Sequence, residues 1–266
     1  MAPMDFCDTD TSALFDTHCH CGLVMDESTP VQPGECELIA TAEVRHWKEL
    51  ASLLAPHRMR FGCAGLHPWY AHQWDDACAA QLEEVLTLPG VVAVGEVGLD
   101  PSAAVHISLQ KQVLRQQIRM ALKINKPLVL HVSRGYVEIL EVLEEENAQR
   151  VGGVVHGFSA GENIGREFIR LGFYLGIGPV LLRRNARKLP EALRSLPLER
   201  LVIETDAQAG MKGYATAAQG SAILARIAQH LAEVYTLSYA QIVSILWRNS
   251  CELFHLELPS TDYGLR

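Results

Sequence analysis

Eight short runs rich in β-branched and other apolar residues recur along this chain: Leu14–His20, Cys36–Ala42, Met59–Leu66, Val91–Val97, Pro127–Val132, Gly152–His156, Phe173–Gly178 and Leu201–Asp206. Between most of them lie stretches with apolar residues three and four apart, at Glu43–Leu54, Asp76–Leu86, Ile107–Ile124, Tyr136–Glu145, Glu162–Leu171 and Asn185–Leu193, and two more follow the last run at Ala217–Tyr235 and Ser238–Phe254. Strand followed by helix, repeated, predicts parallel strands joined by crossover helices, and eight such strands are the number that closes a barrel. The length of 266 residues suits one barrel of about 250 residues. The expected fold class is therefore α/β, a TIM (β/α)8-type barrel. No low-complexity or Pro-rich tract divides the chain, so residues 1–266 are read as one domain, with 1–12 a flexible N-terminal lead. One unit is irregular. The 15 residues CGLVMDESTPVQPGE between His20 and Cys36 carry two prolines and no helical period. They predict a barrel whose first crossover helix is missing or very short, with an extended loop in its place.

The composition, 48% hydrophobic and 20% charged, supports a large buried core. With 23 Lys+Arg against 31 Asp+Glu, the net charge is −8, which argues against a protein that grips nucleic acid through a broad basic surface. A polyanionic substrate would need a local positive centre, and bound metal is the obvious one. The seven cysteines form no CxxC pair and are odd in number, a poor disulfide framework that fits a reducing compartment. The N-terminus is acidic where a signal peptide is basic, and no apolar run approaches about 18 residues. A cytoplasmic protein with no membrane association is expected.

The chemistry gathers at the ends of the runs. The first ends Asp16-Thr17-His18-Cys19-His20; alternation along a strand sends His18 and His20 to one face and Cys19 to the other. The fourth carries Glu96 inside an apolar stretch, where an unpartnered carboxylate would be an expensive buried charge. The fifth ends in His131, the sixth in His156 and the eighth in Asp206, two residues after Glu204. A single histidine after an apolar strand is more often a hydrogen-bonded core residue than a ligand. Six candidates on five strand ends, all converging on the mouth where barrels build their active sites, reverse that judgement. Four imidazoles and two carboxylates suffice for two divalent ions, Mg²⁺, Mn²⁺ or Zn²⁺. The expected allocation places His18, His20 and Asp206 on one ion, His131 and His156 on the other, and Glu96 between them. Cys19 and Cys21 flank His20 and invite a zinc reading, but alternation puts Cys19 outside the mouth, where packing is favoured.

FDTHCH (15–20), GLHP (65–68), VGEVGLD (94–100), the helix with Gln110 and Gln117 leading to KPLVLH (126–131), VVHGFSAG (154–161) and LVIETDA (201–207) resemble the TatD family of metal-dependent deoxyribonucleases, within the amidohydrolase superfamily. The resemblance runs from about residue 14 to 256. It implies that His18, His20, Glu96, His131, His156 and Asp206 are metal ligands and that His67 lies near the substrate; His67 could otherwise cap the turn before Pro68. The sequence departs from the family pattern on the substrate side. The usual His-Ser-Arg-Asp is here His131-Val132-Ser133-Arg134, and ETDA is followed by Gln208-Ala209-Gly210-Met211-Lys212-Gly213-Tyr214 without the customary proline.

The function expected is hydrolysis of phosphodiester bonds in DNA, at single strands or ends, with Glu96 and Asp206 catalytic and Asp206 able to take a proton from the attacking water. Trp69, Tyr70 and Phe158 are candidates for stacking on bases, and Arg134, Arg183, Arg184 and Lys212 for touching phosphates. The alternatives are hydrolysis of a small amide, lactone or aminoacyl ester, or a metal-binding partner protein without nuclease activity. No lysine ends the fourth strand, where many amidohydrolases carry a carboxylated one, and this favours the nuclease branch.

Overall fold

In a computed structural model the described residues are 14–21, 23, 36–55, 59–208 and 217–257. Apart from Cys21 and Leu23, the loop expected in place of the first crossover helix lies outside them, as do the N-terminal lead and Lys212. Eight parallel strands follow the sequence reading to within a few residues: β1 (Phe15–His20), β2 (Cys36–Ala40), β3 (Arg60–Ala64), β4 (Val91–Leu99), β5 (Leu128–Val132), β6 (Gly153–Val155), β7 (Phe173–Ile177) and β8 (Leu201–Ile203). Each pairs in parallel with the next. The run to Asp206 does not stay in one strand. After Ile203 the chain turns, Asp206 takes a positive φ of 50°, and a two-residue strand, β9 (Ala207–Gln208), pairs in parallel with β1. The seam is reinforced by Thr17 Oγ1 donating to the Ile203 carbonyl (3.0 Å) and by the Asp206 amide donating to the His18 carbonyl (2.9 Å). The sheet is thereby a nearly closed barrel.

Around it lie α1 (Val44–Leu54), α2 (Asp76–Val85), α3 (Ile107–Ile124), α4 (Tyr136–Glu145), α5 (Glu162–Arg170), α6 (Lys188–Leu193), α7 (Ala217–Tyr235) and α8 (Tyr239–Leu253). The sixth helix starts three residues later than its apolar spacing suggested, because Arg183–Arg187 is exposed chain or turn except for the half-buried Ala186. Local signals set the ends. Asp75 caps α2 by accepting from the Cys78 amide (2.8 Å), Asn125 ends α3 in the left-handed region, and Ser238 with Gln241 forms a capping box on α8. The face of α3 carrying Gln110, Val113, Leu114, Gln117, Ile118 and Ala121 is buried at the three-and-four spacing of a helix packed on a sheet.

The strands bury two apolar layers. Phe15, Leu38, Phe61, Ala93, Val129, Val154, Tyr174 and Val202, one from each strand, form the inner cluster. The alternate residues, Ile39, Ala64, Val94, Leu130, Val155, Leu175 and Ile203 among them, pack outward on the helices. Phe15 also stacks with Phe61 (5.9 Å between centroids) and meets Trp247 and Phe254 of the C-terminal segment, closing the N-terminal end of the barrel. Two strands break their own alternation. Counting by twos from Phe15 would aim Cys19 inward, and from Ala93 would aim Val97 inward; instead β1 has a register shift between Asp16 and Cys19, and β4 one between Gly95 and Val97. Each bulge turns the upper half of its strand by one residue, so Val97 packs outward.

β4 leaves no room for a side chain against β5 at Gly98. A Cβ there, where φ is +155°, would lie 1.9 Å from the His131 carbonyl oxygen. Gly98→Ala is expected to lose about 3 kcal/mol or more of stability, read from the urea midpoint at unchanged denaturant slope. An unchanged midpoint would contradict this packing.

Candidate metal centre

The upper ends of the strands bring the six ligand candidates together. Glu96, buried on β4, divides its carboxylate between two groups of imidazoles. Oε2 faces His20 Nε2 (3.5 Å) and His18 Nε2 (3.6 Å). Oε1 faces His156 Nε2 (2.8 Å), His131 Nδ1 (2.9 Å) and His67 Nε2 (3.4 Å). Asp206 Oδ1 lies 3.5 Å from His20 Nε2 and 3.8 Å from His18 Nε2, with its side chain 43% exposed to the opening. The His18 and His156 rings stack in parallel, 3.9 Å between centroids.

The donors fit divalent cations. Both ring nitrogens of His18 are buried without a hydrogen-bond partner, as are Nε2 of His131 and Nδ1 of His156. Such orphaned polar atoms cost roughly 1–3 kcal/mol each unless something satisfies them, and a cation coordinated by the facing lone pairs would. Donor atoms of His18, His20 and Glu96 lie within 4.8 Å of one another, and so do those of His18, His156 and Asp206, and those of His67, Glu96 and His131.

Electrostatics agree with a site built for positive charge. Burial would push the Glu96 carboxyl up, but the charges of His156 and His67 and the hydrogen bonds from His131 and His156 hold it well below the ordinary range. Burial would also push His156 down, yet Glu96 and Glu204 hold it protonated well above the usual value. Burial would push His20 down, but its bond to Asp206, the charges of Glu96 and Asp206 and its bond to the Ala40 carbonyl together raise it. His18 is lowered by burial and by the neighbouring His156 charge. Asp206 stays ionised: burial is overcome by His20, His18 and His156.

A second set of groups holds the ligands. Glu204, fully buried, accepts from the Gly157 amide (2.5 Å) and faces His156 Nδ1 at 3.8 Å. It fits only because residue 176 is glycine; a Cβ there would come 2.2 Å from Glu204 Oε2. Asp100 Oδ2 accepts from Trp69 Nε1 (2.7 Å) and faces His131 Nε2 (3.7 Å). Its carboxyl is lowered to about 2, since hydrogen bonds from Ser102 and Trp69 outweigh its burial. Two glutamines on one face of α3 brace the loops above: Gln117 bonds both ways to the backbone of Leu66 (2.7 and 3.1 Å), and Gln110 both ways to that of Asp100 (2.8 and 2.9 Å). The sequence reading assigned no role to Asp100 or Glu204. The signal was present, because Asp100 is four residues beyond Glu96 and Glu204 two before Asp206, each at an even spacing along its chain.

His67 both caps the turn, with Nδ1 accepting from the Trp69 amide (3.2 Å), and joins the ligand cluster through Nε2. Trp69 is 53% exposed beside it, the ring centroids 5.1 Å apart, while Tyr70 is half-buried against the core. Phe158 is a correction: it is 1% exposed within the helix-facing apolar layer and offers no ring to a base. Its amide is tied to the Gly176 carbonyl (2.9 Å), turning the chain inward after His156. Arg134, in the left-handed region at φ 62°, lines a hollow of about 460 Å³ with Ser133, Tyr136, Ser159 and Lys188, just past the ends of β5 and β6. Arg183 and Arg184 are exposed after β7.

The sequence profile of the family described as TatD related DNase matches residues 15–255. The chain belongs to the TatD-related DNase family. Among TatD-related and neighbouring proteins, an uncharacterized metal-dependent hydrolase, YabD of Bacillus subtilis, is 27% identical over 258 residues, covering 91% of this chain and 99% of that protein. A protein named 3'-5' ssDNA/RNA exonuclease TatD, from Edwardsiella piscicida, is 36% identical over 146 residues, 54% of this chain and 56% of that protein. The crystal structure of YjjV, a TatD homolog of Escherichia coli K12, superposes with a TM-score of 0.82 at 26% identity, covering 93% of this chain and all of that one. This TatD-related chain is a metal-dependent hydrolase.

The charge balance of the centre predicts a pH signature when cations are stripped with a chelator. Groups raised in the folded state (His156, His20 and Asp16, which burial pushes up to about 8) stabilise the fold at low pH and lose that effect as pH rises through their folded values. The lowered imidazoles, His18 and His67, gain the fold stability only up to about pH 6.5, where the unfolded chain becomes neutral. The melting temperature of stripped protein should therefore fall from about pH 6.5 to 8. His156→Gln should flatten the slope, and added divalent cation should reverse it, because coordination displaces the protons. A slope that His156→Gln leaves unchanged would refute the assignment.

Proposed function

We propose that the protein hydrolyses phosphodiester bonds in single-stranded DNA, acting near strand ends, with two divalent cations of the Mg²⁺, Mn²⁺ or Zn²⁺ class at the barrel mouth. The observation that carries this reading is the division of the Glu96 carboxylate, with one oxygen toward His18 and His20 and the other toward His131 and His156. Cations held there would neutralise a phosphate oxygen and activate a water. Two divalent ions put about +4 at one point of an acidic protein, which favours an anionic group at the mouth over a neutral amide or lactone.

The chain's own groups have distinct tasks. Asp206, ionised and facing the opening, accepts the proton of the attacking water at a carboxylate oxygen. Glu96 stays ionised and stands between the two imidazole groups, one carboxylate oxygen toward each. Arg134 and Lys188, in the hollow beside β5 and β6, bind a phosphate one residue along the strand. Trp69 presents its exposed ring to a base while its Nε1 is fixed on Asp100. The exonuclease named among the relatives acts, by its name, on single strands, which accords with the exposed Trp69 ring beside the mouth.

Labelled single- and double-stranded DNA incubated with each cation tests the reading. Cleavage is expected with single strands and is expected to fall at least ~1000-fold in Glu96→Ala. Cleavage that survives in Glu96→Ala would place the activity elsewhere. Trp69→Ala should raise KM about 5- to 100-fold for a strand end, as loss of one base stack would, whereas Trp69→Phe should keep most of the affinity. Equal losses in both variants would reduce the role of Trp69 to holding Asp100.

A further inference from the structure

The chemistry on the other face of β1 is not used by the barrel mouth. Where His18 and His20 face inward, Cys19 faces outward and pairs across the sheet with Ile39 of the helix-facing layer. Its Sγ lies 3.9 Å from Glu37 Oε2 on β2. Cys21, two residues on and half-buried, returns to the same side. The two sulfurs and a Glu37 carboxylate oxygen all lie within 4.8 Å of one another. Glu37 is oriented by Arg60, whose Nε bonds to its other oxygen while Nη1 donates to the Leu53 carbonyl (3.1 Å). Cys19 and Glu37 are buried, and Cys21 is the accessible edge.

We infer that Cys19, Cys21 and Glu37 form a second metal site, on the outside of the barrel, for a thiophilic divalent cation of the zinc class. Cys19 near the end of β1 and Cys21 in the turn that follows bring two sulfurs close enough to close on one ion, and a carboxylate oxygen from the neighbouring strand supplies a third ligand of a tetrahedral set. Thiolates select zinc-class ions, whereas carboxylates, water and phosphate suit magnesium and manganese, so the outer site differs in preference from the imidazole and carboxylate mouth. His20 lies between the two cysteines in sequence. An ion clasped on the outer face would therefore fix the strand end that presents His20 to the mouth.

The probe is Cd²⁺, added to the reduced full-length protein and followed by the ultraviolet charge-transfer band of thiolate-bound cadmium. The band should saturate at one thiolate-bound ion and persist in Glu96→Ala, which separates it from the mouth. Cys21→Ser, a change at a half-buried position, should weaken it by more than roughly 10-fold. As a measurement on the unaltered chain, Zn²⁺ should slow alkylation of Cys21, mapped by peptide mass spectrometry, by a similar factor. No band at saturating Cd²⁺, a full band in Cys21→Ser, loss of the band in Glu96→Ala, or unprotected Cys21 would each overturn the assignment.

Discussion

A buried carboxylate stays ionised only where charges and hydrogen-bond donors surround it, and Glu96 is surrounded. Five imidazoles reach it, from β1, β5, β6 and the loop after β3. The desolvation of such an ion costs several kcal/mol, so every element that brings an imidazole to it is under the same constraint. By contrast, exposed pairs such as Arg119 with Glu146 on the outer helices contribute ~0–1 kcal/mol and decide nothing about the architecture. The barrel can be understood as the scaffold that closes four elements around one buried anion while leaving Asp206 open to the mouth.

The two bulges show how one strand serves two incompatible demands. The lower halves of β1 and β4 must send Phe15 and Ala93 into the apolar interior, and their upper halves must send His18, His20 and Glu96 into the cluster. A regular pleat cannot do both at these spacings, since Phe15 and His18 differ by an odd number of residues, as do Ala93 and Glu96. Inserting one residue between the halves resolves the conflict, and in both strands the shift falls across the first ligand, between Asp16 and Cys19 around His18 and between Gly95 and Val97 around Glu96.

Much of the fold was legible because parallel strands buried on both faces read as apolar runs and their crossover helices as three-and-four spacing. The six ligand candidates were legible for a related reason: a polar residue ending an apolar strand is conspicuous. What escaped the reading depends on contacts distant in sequence. Phe158 follows a ligand and resembles a stacking residue, but the bond from its amide to Gly176 turns it into the core. His67 looked like a turn residue near the substrate; only the juxtaposition of its loop with β4 places it against Glu96. Glu204 needs the glycine at 176 on a different strand to make room for it. The end of the eighth run is a local geometric matter, since Asp206 adopts a left-handed conformation that apolar patterning does not encode.

The seam between β8 and β1 joins segments about as far apart in the chain as this barrel allows, and its backbone ladder to β9 is only two residue pairs long. Contacts of such long sequence separation are the slowest to become favourable as a chain folds. Asp206 stands in that seam, opposite His18 and His20 on β1. A cation held among these three would be a clasp between the two ends of the barrel's circumference, so that closing the circle and completing the catalytic centre become one event.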